Sequence, residues 1–230
     1  MSDRRRNNHA VIRAIVLDYA GVMTVPVSMP KKPNSLRSEP DPADVRSVLR
    51  SFMSHEVHNS DPTGMWNRVE RGEVRFDDFC TYLEKKHQLA GQAFRAMGGN
   101  MIAGLALRTM MADRVREWRG SGLKVGLLTN NVMEWRPIWR SKLEEANLLD
   151  AFDAVVDSSE VGMRKPESRI FLHAVELLGV APHEAVFVDD LAQNVEGAVA
   201  AGLHAILATP DDAHLVQLDD LLRGHRTPLE

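Results

Sequence analysis

The chain has 230 residues, 44% of them apolar and 26% charged, with a formal net charge of −4. At ~150 residues per domain that allows one or two domains with a proper core, and it excludes disordered, collagen-like and low-complexity classes. Acidic residues outnumber basic ones, 32 to 28, so a dedicated nucleic-acid binder is not expected. Cys80 is the single cysteine, which excludes an intrachain disulfide and a cysteine-based zinc site; a buried thiol in a reducing compartment is expected. No run of ~18 apolar residues occurs, so no membrane span is expected. Arg4, Arg5 and Arg6 open the chain as a secretory signal would, but Arg13 and Asp18 interrupt the apolar stretch behind them. Residues 1–9 therefore read as a solvated basic tail, and a cytoplasmic location is expected.

Val11–Leu17 is β-branched and almost wholly apolar, then stops at Asp18 with Gly21 close behind. This predicts a buried parallel strand that ends in a loop. The next stretch opens on Pro26, Pro30, Pro33, Pro40 and Pro42, then carries helical patterns over 43–57, 64–71, 76–87 and 93–107. With no strand among them, residues 25–104 are expected to form a helical cap domain inserted into a core made of 1–24 and 105–230. A helix ends at Arg119, before Gly120-Ser121-Gly122. Strands are predicted at Leu123–Leu128, Phe152–Val156, Ala185–Val188 and His204–Ala208. Between them lie helices over Val132–Lys142, Pro166–Leu178 and Leu191–Ala201, the second with Pro166 in its first turn and Gly179 at its stop. Strands alternating with helices in this way predict an α/β core of three layers, a Rossmann-like parallel sheet with helices on both faces.

Ligands of open parallel sheets bind beyond the carboxyl ends of the strands. Asp18, Thr129, Asn130, Asp189 and Asp190 fall there, and Lys165 falls in a loop at the same edge. These groups suit phosphoryl chemistry. A carboxylate can attack phosphorus. Several carboxylates in one small site repel one another and call for a divalent cation, and an all-oxygen set without Cys or His suits Mg²⁺. A hydroxyl, backbone N–H groups and an ammonium can hold the remaining phosphate charge.

Four segments occur in order: Asp18-Tyr19-Ala20-Gly21-Val22, Leu127-Leu128-Thr129-Asn130-Asn131, Arg164-Lys165-Pro166-Glu167, and Phe187-Val188-Asp189-Asp190 with Asn194 behind it. Over about residues 11–210 the chain thereby resembles the haloacid dehalogenase superfamily. The likeness is to members with a helical cap after the first segment, such as the N-terminal phosphatase domain of soluble epoxide hydrolase. Glu70-Arg71-Gly72-Glu73 with Phe76 and Phe79 also resembles caps of that group. The resemblance implies Asp18 as nucleophile and Mg²⁺ ligand, the Ala20 carbonyl as a second ligand, and Asp189 and Asp190 as the acidic metal residues. It implies that Thr129 and Lys165 hold the transferred group and that Asn130 faces the substrate, a small phosphorylated molecule.

Phosphatases of the superfamily carry a second Asp two residues after the nucleophile, which protonates the leaving oxygen and then activates water. Here that position is Ala20. Losing a positioned acid–base costs about 10²- to 10⁴-fold in rate. Three readings stand. The first is a phosphatase that is slow or borrows a group such as Thr24, His55 or His58. The second is a phosphonatase or dehalogenase type of hydrolase; a phosphonatase would need a cap lysine, and Lys31, Lys32, Lys85 and Lys86 are present. The third is a weak or inactive relative that binds a phosphorylated ligand or a protein.

Ordinary structural roles are also assigned. Thr129-Asn130 can cap the helix that follows. Trp66, Trp118, Trp135 and Trp139 read as packing anchors, with Trp135 or Trp139 a candidate border of the pocket. Met97, Met101, Met110 and Met111 read as core filler at the cap hinge.

Overall fold

The structure, a computed structural model, describes residues 11–25, 63–86 and 88–224. The basic tail, the Pro-rich stretch, the helix expected over 43–57, and Lys31, Lys32, His55 and His58 lie outside those residues. In chain order the elements are β1 (Ala14–Leu17), α1 (Met65–Glu70), α2 (Phe76–Lys86), α3 (Gln88–Gly104), α4 (Thr109–Gly120), β2 (Lys124–Thr129), α5 (Arg136–Glu145), β3 (Ala154–Asp157), α6 (Ser158–Val161), α7 (Ser168–Leu178), β4 (Ala185–Asp189), α8 (Ala192–Ala200), β5 (His204–Leu207) and α9 (Ala213–Gly224). Among the described residues five parallel strands form one sheet in the order β3-β2-β1-β4-β5. β1 is central, with Leu17 beside Leu127 on one flank and Val188 on the other. The chain reverses its direction of winding at β1, so the ends of β1, β2 and β4 border one crevice.

Period-two alternation sorts the strand side chains between two apolar layers. Ile15, Leu17, Val125, Leu127, Val186 and Val188 pack with Met111, Val115 and Trp118 of α4, Trp139 and Leu143 of α5, and Leu215, Leu218 and Leu222 of α9. Ala14, Val16, Leu128 and Phe187 pack on the opposite face with Ile170, Phe171, Ala174 and Val175 of α7 and Ala198 of α8. A sheet buried on both sides explains why the strands read as continuous apolar runs. The three-layer α/β architecture is the one expected.

The helices between β1 and β2 have an apolar cluster of their own. Trp66 and Val69 of α1 meet Phe76, Phe79, Cys80 and Leu83 of α2 and Ala90 and Phe94 of α3, with Val132 from the segment after β2. Phe76, Phe79, Cys80 and Leu83 fall on one stripe of α2, whose acidic first turn and basic last turn suit the helix dipole. The two ends of this insertion meet: Thr24 bridges Leu107 in antiparallel fashion, and the Val25 amide donates to the Ala106 carbonyl at 2.9 Å.

Several local expectations are corrected. The helix expected to reach 107 ends at Gly104, because Leu107 pairs with Thr24. The helix expected from Pro166 begins at Ser168. The helix expected from Val132 begins as a 3₁₀ turn over Met133–Trp135, and Asn130 does not cap it, since its side chain is used elsewhere. Trp135 joins the insertion cluster, 4.9 Å from Phe76 and 6.2 Å from Trp66 between ring centroids. Trp139 is fully buried and packs on Tyr19. Of the methionines read as core, Met111 is buried but Met110 is exposed. The structure adds helix α9 to the expected elements, with Leu215, Leu218 and Leu222 carrying its spacing.

Candidate active site

β1 ends at Leu17, and the chain turns sharply over Tyr19–Met23. The turn needs Gly21, whose φ is +81°. A Cβ at Gly21 would lie 2.3 Å from the Asp190 Oδ2, so the glycine also lets the Asp190 carboxylate close on this turn. Asp18 therefore projects from the end of the central strand, beside the ends of β2 and β4, and is 6% exposed.

Lys165 joins these strand ends. It is 1% exposed, and its Nζ donates to Asp18 Oδ1 at 2.6 Å, to Asp189 Oδ2 at 2.7 Å and to the Leu128 carbonyl at 3.0 Å. All three ammonium protons thus have an acceptor. Asp189 is fully buried; the Leu191 amide reaches its Oδ1 at 2.8 Å, and Asn194 Nδ2 spans both its oxygens at 3.1 and 3.0 Å. Asp18, Asp189 and Asp190 each offer an oxygen, and these atoms lie within 4.8 Å of one another. Among the described residues no hydrogen bond falls on Asp18 Oδ2.

The electrostatics follow from three carboxylates around one ammonium. Burial pushes the Asp18 carboxyl up to about 8; Lys165 pulls it down, and Asp189 and Asp190 push it further up. Burial, then Asp189, also raises Asp190. Burial lowers Lys165, but Asp18 and Asp189 outweigh it and hold the ammonium above the usual lysine value. Negative charge in excess of one ammonium, carried by oxygen donors alone, fits a hard divalent cation such as Mg²⁺.

The other expected residues are placed as follows. Thr129 is buried at the end of β2, and its hydroxyl donates to the Asn130 carbonyl at 3.4 Å. Asn130 grips the Lys165 main chain twice: its Oδ1 accepts from the Lys165 amide at 2.8 Å and its Nδ2 donates to the Lys165 carbonyl at 2.9 Å. Ala20 is exposed in the turn after Asp18 and has extended rather than helical angles. Thr24 does not supply a replacement acid–base, because its hydroxyl donates to the Tyr19 carbonyl and accepts from the Gly21 amide within the turn. Lys85 and Lys86 are exposed on α2.

Glu70 and Arg164 open segments of the family resemblance but carry no role that spacing assigns. They form a buried ion pair, Arg164 Nε to Glu70 Oε2 at 2.6 Å, one residue from Lys165. No spacing pattern could have joined them, since 94 residues separate the pair.

A family model of haloacid dehalogenase-like hydrolases matches residues 12–202. The chain belongs to this family. A sesquiterpene phosphatase of Aspergillus oryzae is 29% identical to this haloacid dehalogenase-like hydrolase over 157 residues, 68% of this chain and 79% of the relative. Bifunctional epoxide hydrolase 2 of Sus scrofa is 22% identical over 220 residues, 90% of this chain but 38% of the relative. The chain thus spans well under half the length of that relative. A HAD family enzyme of Bacteroides thetaiotaomicron, crystallised with magnesium and inorganic phosphate, shares the fold. It has a TM-score of 0.57 and 20% identity, over 89% of this chain and 98% of that one. Among the described residues of this family member, no helix is long and apolar enough to cross a membrane.

Proposed function

We propose that the chain is a Mg²⁺-dependent phosphohydrolase that cleaves a small phosphate ester through an aspartyl-phosphate on Asp18. The observation that carries this reading is the Lys165 ammonium set between Asp18 and Asp189, with Asp190 at the same corner. The phosphatase among the relatives supports the same reaction class. Asp18, the Ala20 carbonyl, Asp189 and Asp190 are the proposed metal ligands, and Thr129 and Lys165 hold the transferred group, Lys165 through its charge while its protons stay on Asp18, Asp189 and the Leu128 carbonyl, with Asn130 fixing Lys165. Bound there, Mg²⁺ supplies positive charge to the phosphate oxygens.

Asp18 Oδ2 forms the new bond to phosphorus as the ester oxygen leaves with the old bonding pair. Lys165 holds the other Asp18 oxygen still, so the attack needs little reorganisation. Ala20 offers no proton, so the leaving oxygen takes one from water. A second water then attacks phosphorus, its proton passing to the hydroxide left by the first, and the bond from phosphorus to Asp18 breaks, releasing inorganic phosphate and returning Asp18 to its carboxylate. The helices within 25–104 act as a cap over the core of 1–24 and 105–230 and exclude bulk water. Their separate apolar cluster and the paired ends at Thr24 and Leu107 support that division. The ligand is a small phosphorylated molecule, not nucleic acid or a membrane, and the setting is cytoplasmic; the acidic net charge supports the exclusion of nucleic acid.

A second reading is favoured by Ala20: a site assembled for a phosphorylated ligand but weak or inactive in turnover. Phosphate release from an aryl phosphate with Mg²⁺, for the parent and Asp18→Asn, separates the two. The first reading expects parent turnover that vanishes in Asp18→Asn. A silent parent that still binds orthophosphate in the presence of Mg²⁺ supports the second.

A further inference from the structure

We propose that Glu70 is a positioning residue for Lys165, and that the turn Glu70-Arg71-Gly72 is a latch fixing the Lys165 loop against the sheet. The inference rests on the reading of Lys165 as the group that holds the transferred phosphate. Glu70 ends α1, in the insertion, yet its carboxylate is buried and turns Oε2 towards the core site. Oε2 accepts from Arg164 Nε at 2.6 Å and from Asn130 Nδ2 at 3.3 Å, while Oε1 accepts from Trp66 Nε1 at 3.0 Å. The same Asn130 side chain holds the Lys165 amide and carbonyl. Glu70 thus orients the amide that places the Lys165 backbone, and it anchors the residue before it.

The next two residues complete the grip. Arg71 is buried and donates to Glu167 Oε1 at 3.0 Å, on the far side of Lys165. Gly72, at φ +71°, lies so close to the Ser159 carbonyl that a Cβ would stand 2.4 Å from it. Three consecutive residues of the insertion therefore touch the segment from Ser159 to Glu167. A buried ion pair is weak evidence for stability as such, and fixing one arrangement among alternatives is its best-attested use. A loop with no strand partner on either side needs such fixing if Nζ is to stay between two carboxylates.

The test uses the full chain with Glu70→Ala, Glu70→Gln, Glu70→Asp and Asn130→Ala. Amide hydrogen exchange by NMR reads the latch without reference to turnover. Glu70→Ala is expected to speed exchange of the Lys165 amide about tenfold, the scale of one lost hydrogen bond, while Ile15 and Val16 in β1 keep their protection. Glu70→Asp is expected to restore part of that protection. Glu70→Gln combined with Asn130→Ala should cost less than the two single variants summed, because only the part of the Glu70 effect that runs through Arg164 is independent of Asn130. With an aryl phosphate, Glu70→Gln should lower kcat about 10²-fold and leave KM within about twofold. Unchanged Lys165 protection in Glu70→Ala overturns the proposal, as does an equal loss across β1, which would mean general destabilisation. If Glu70→Ala does not fold, the Glu70→Gln exchange pattern decides on the same terms. A parent without turnover counts against the phosphatase reading alone, because the exchange result still decides the latch.

Discussion

Lys165 Nζ stands 2.6 Å from Asp18 Oδ1, although 147 residues separate the two in the chain. The same nitrogen bonds Asp189, and both carboxylates are buried. Removing the ammonium leaves two desolvated carboxylates without their cation. Lys165→Met is therefore expected to abolish turnover and to cost about 3–5 kcal/mol of stability near neutral pH. The loss should shrink towards acid pH, because the Asp18 carboxyl, raised above its unfolded value, takes up a proton in the folded state and favours it. Urea unfolding at pH 7.5 and pH 5 checks both the size and the sign.

Asp18 gives the parent its own pH dependence. Burial is the main cause that lifts this carboxyl from the usual 3.8 to about 8. A raised carboxyl contributes stability that is fully present below the unfolded value and is lost as pH rises through the folded one. The metal-free protein is thus expected to lose stability between about pH 4 and pH 8 from this group. Mg²⁺ held by Asp18 as proposed would bind the deprotonated form, so its stabilising effect should be larger at pH 8.5 than at pH 6, with release of about one proton on binding near pH 7. Thermal melts with and without Mg²⁺, and calorimetry in buffers of different ionisation enthalpy, measure the two effects. Equal stabilisation at both pH values would remove Asp18 from the ligand set.

Ala20 predicts a dependence on the leaving group. Without a positioned acid, the parent should favour aryl phosphates over alkyl phosphates. Ala20→Asp should raise alkyl phosphate turnover by about 10²- to 10⁴-fold and flatten that dependence. A series of phosphate esters graded by leaving-group pKa gives the slope for each protein. An unchanged slope would mean that the parent already has an acid in place.

Gly21→Ala tests the contact between the turn and Asp190. The added methyl would meet Asp190 Oδ2 at 2.3 Å, and the backbone φ is +81°. The expected cost is about 1–2 kcal/mol in stability from the left-handed backbone. If Asp190 is a metal ligand as proposed, displacing its carboxylate should also weaken Mg²⁺ binding about 10- to 100-fold. Chemical denaturation and calorimetric titration read these separately.

Much of this was legible in the residues themselves. A sheet buried on both faces demands continuous apolar runs, so β1, β2 and β4 announced themselves, and Asp18, Thr129 and Asp189 followed as the residues where those runs stop. Parallel pairing then collects strand ends on one edge whatever the sequence distance, which is why the acidic cluster could be expected. Tertiary structure alone decided the rest. That Lys165 would donate one hydrogen bond to each of Asp18, Asp189 and the Leu128 carbonyl depends on how the loop before α7 folds back, and hydrophobic periodicity is silent about loops. The pairing of Glu70 with Arg164 joins two segments that share no periodic signal. Asn130 likewise looked free to cap a helix or face a ligand, until the Lys165 main chain took both ends of its amide. Local pattern determines which faces are buried; which polar groups meet across 35 to 147 residues is settled only when the packed elements bring desolvated partners within reach.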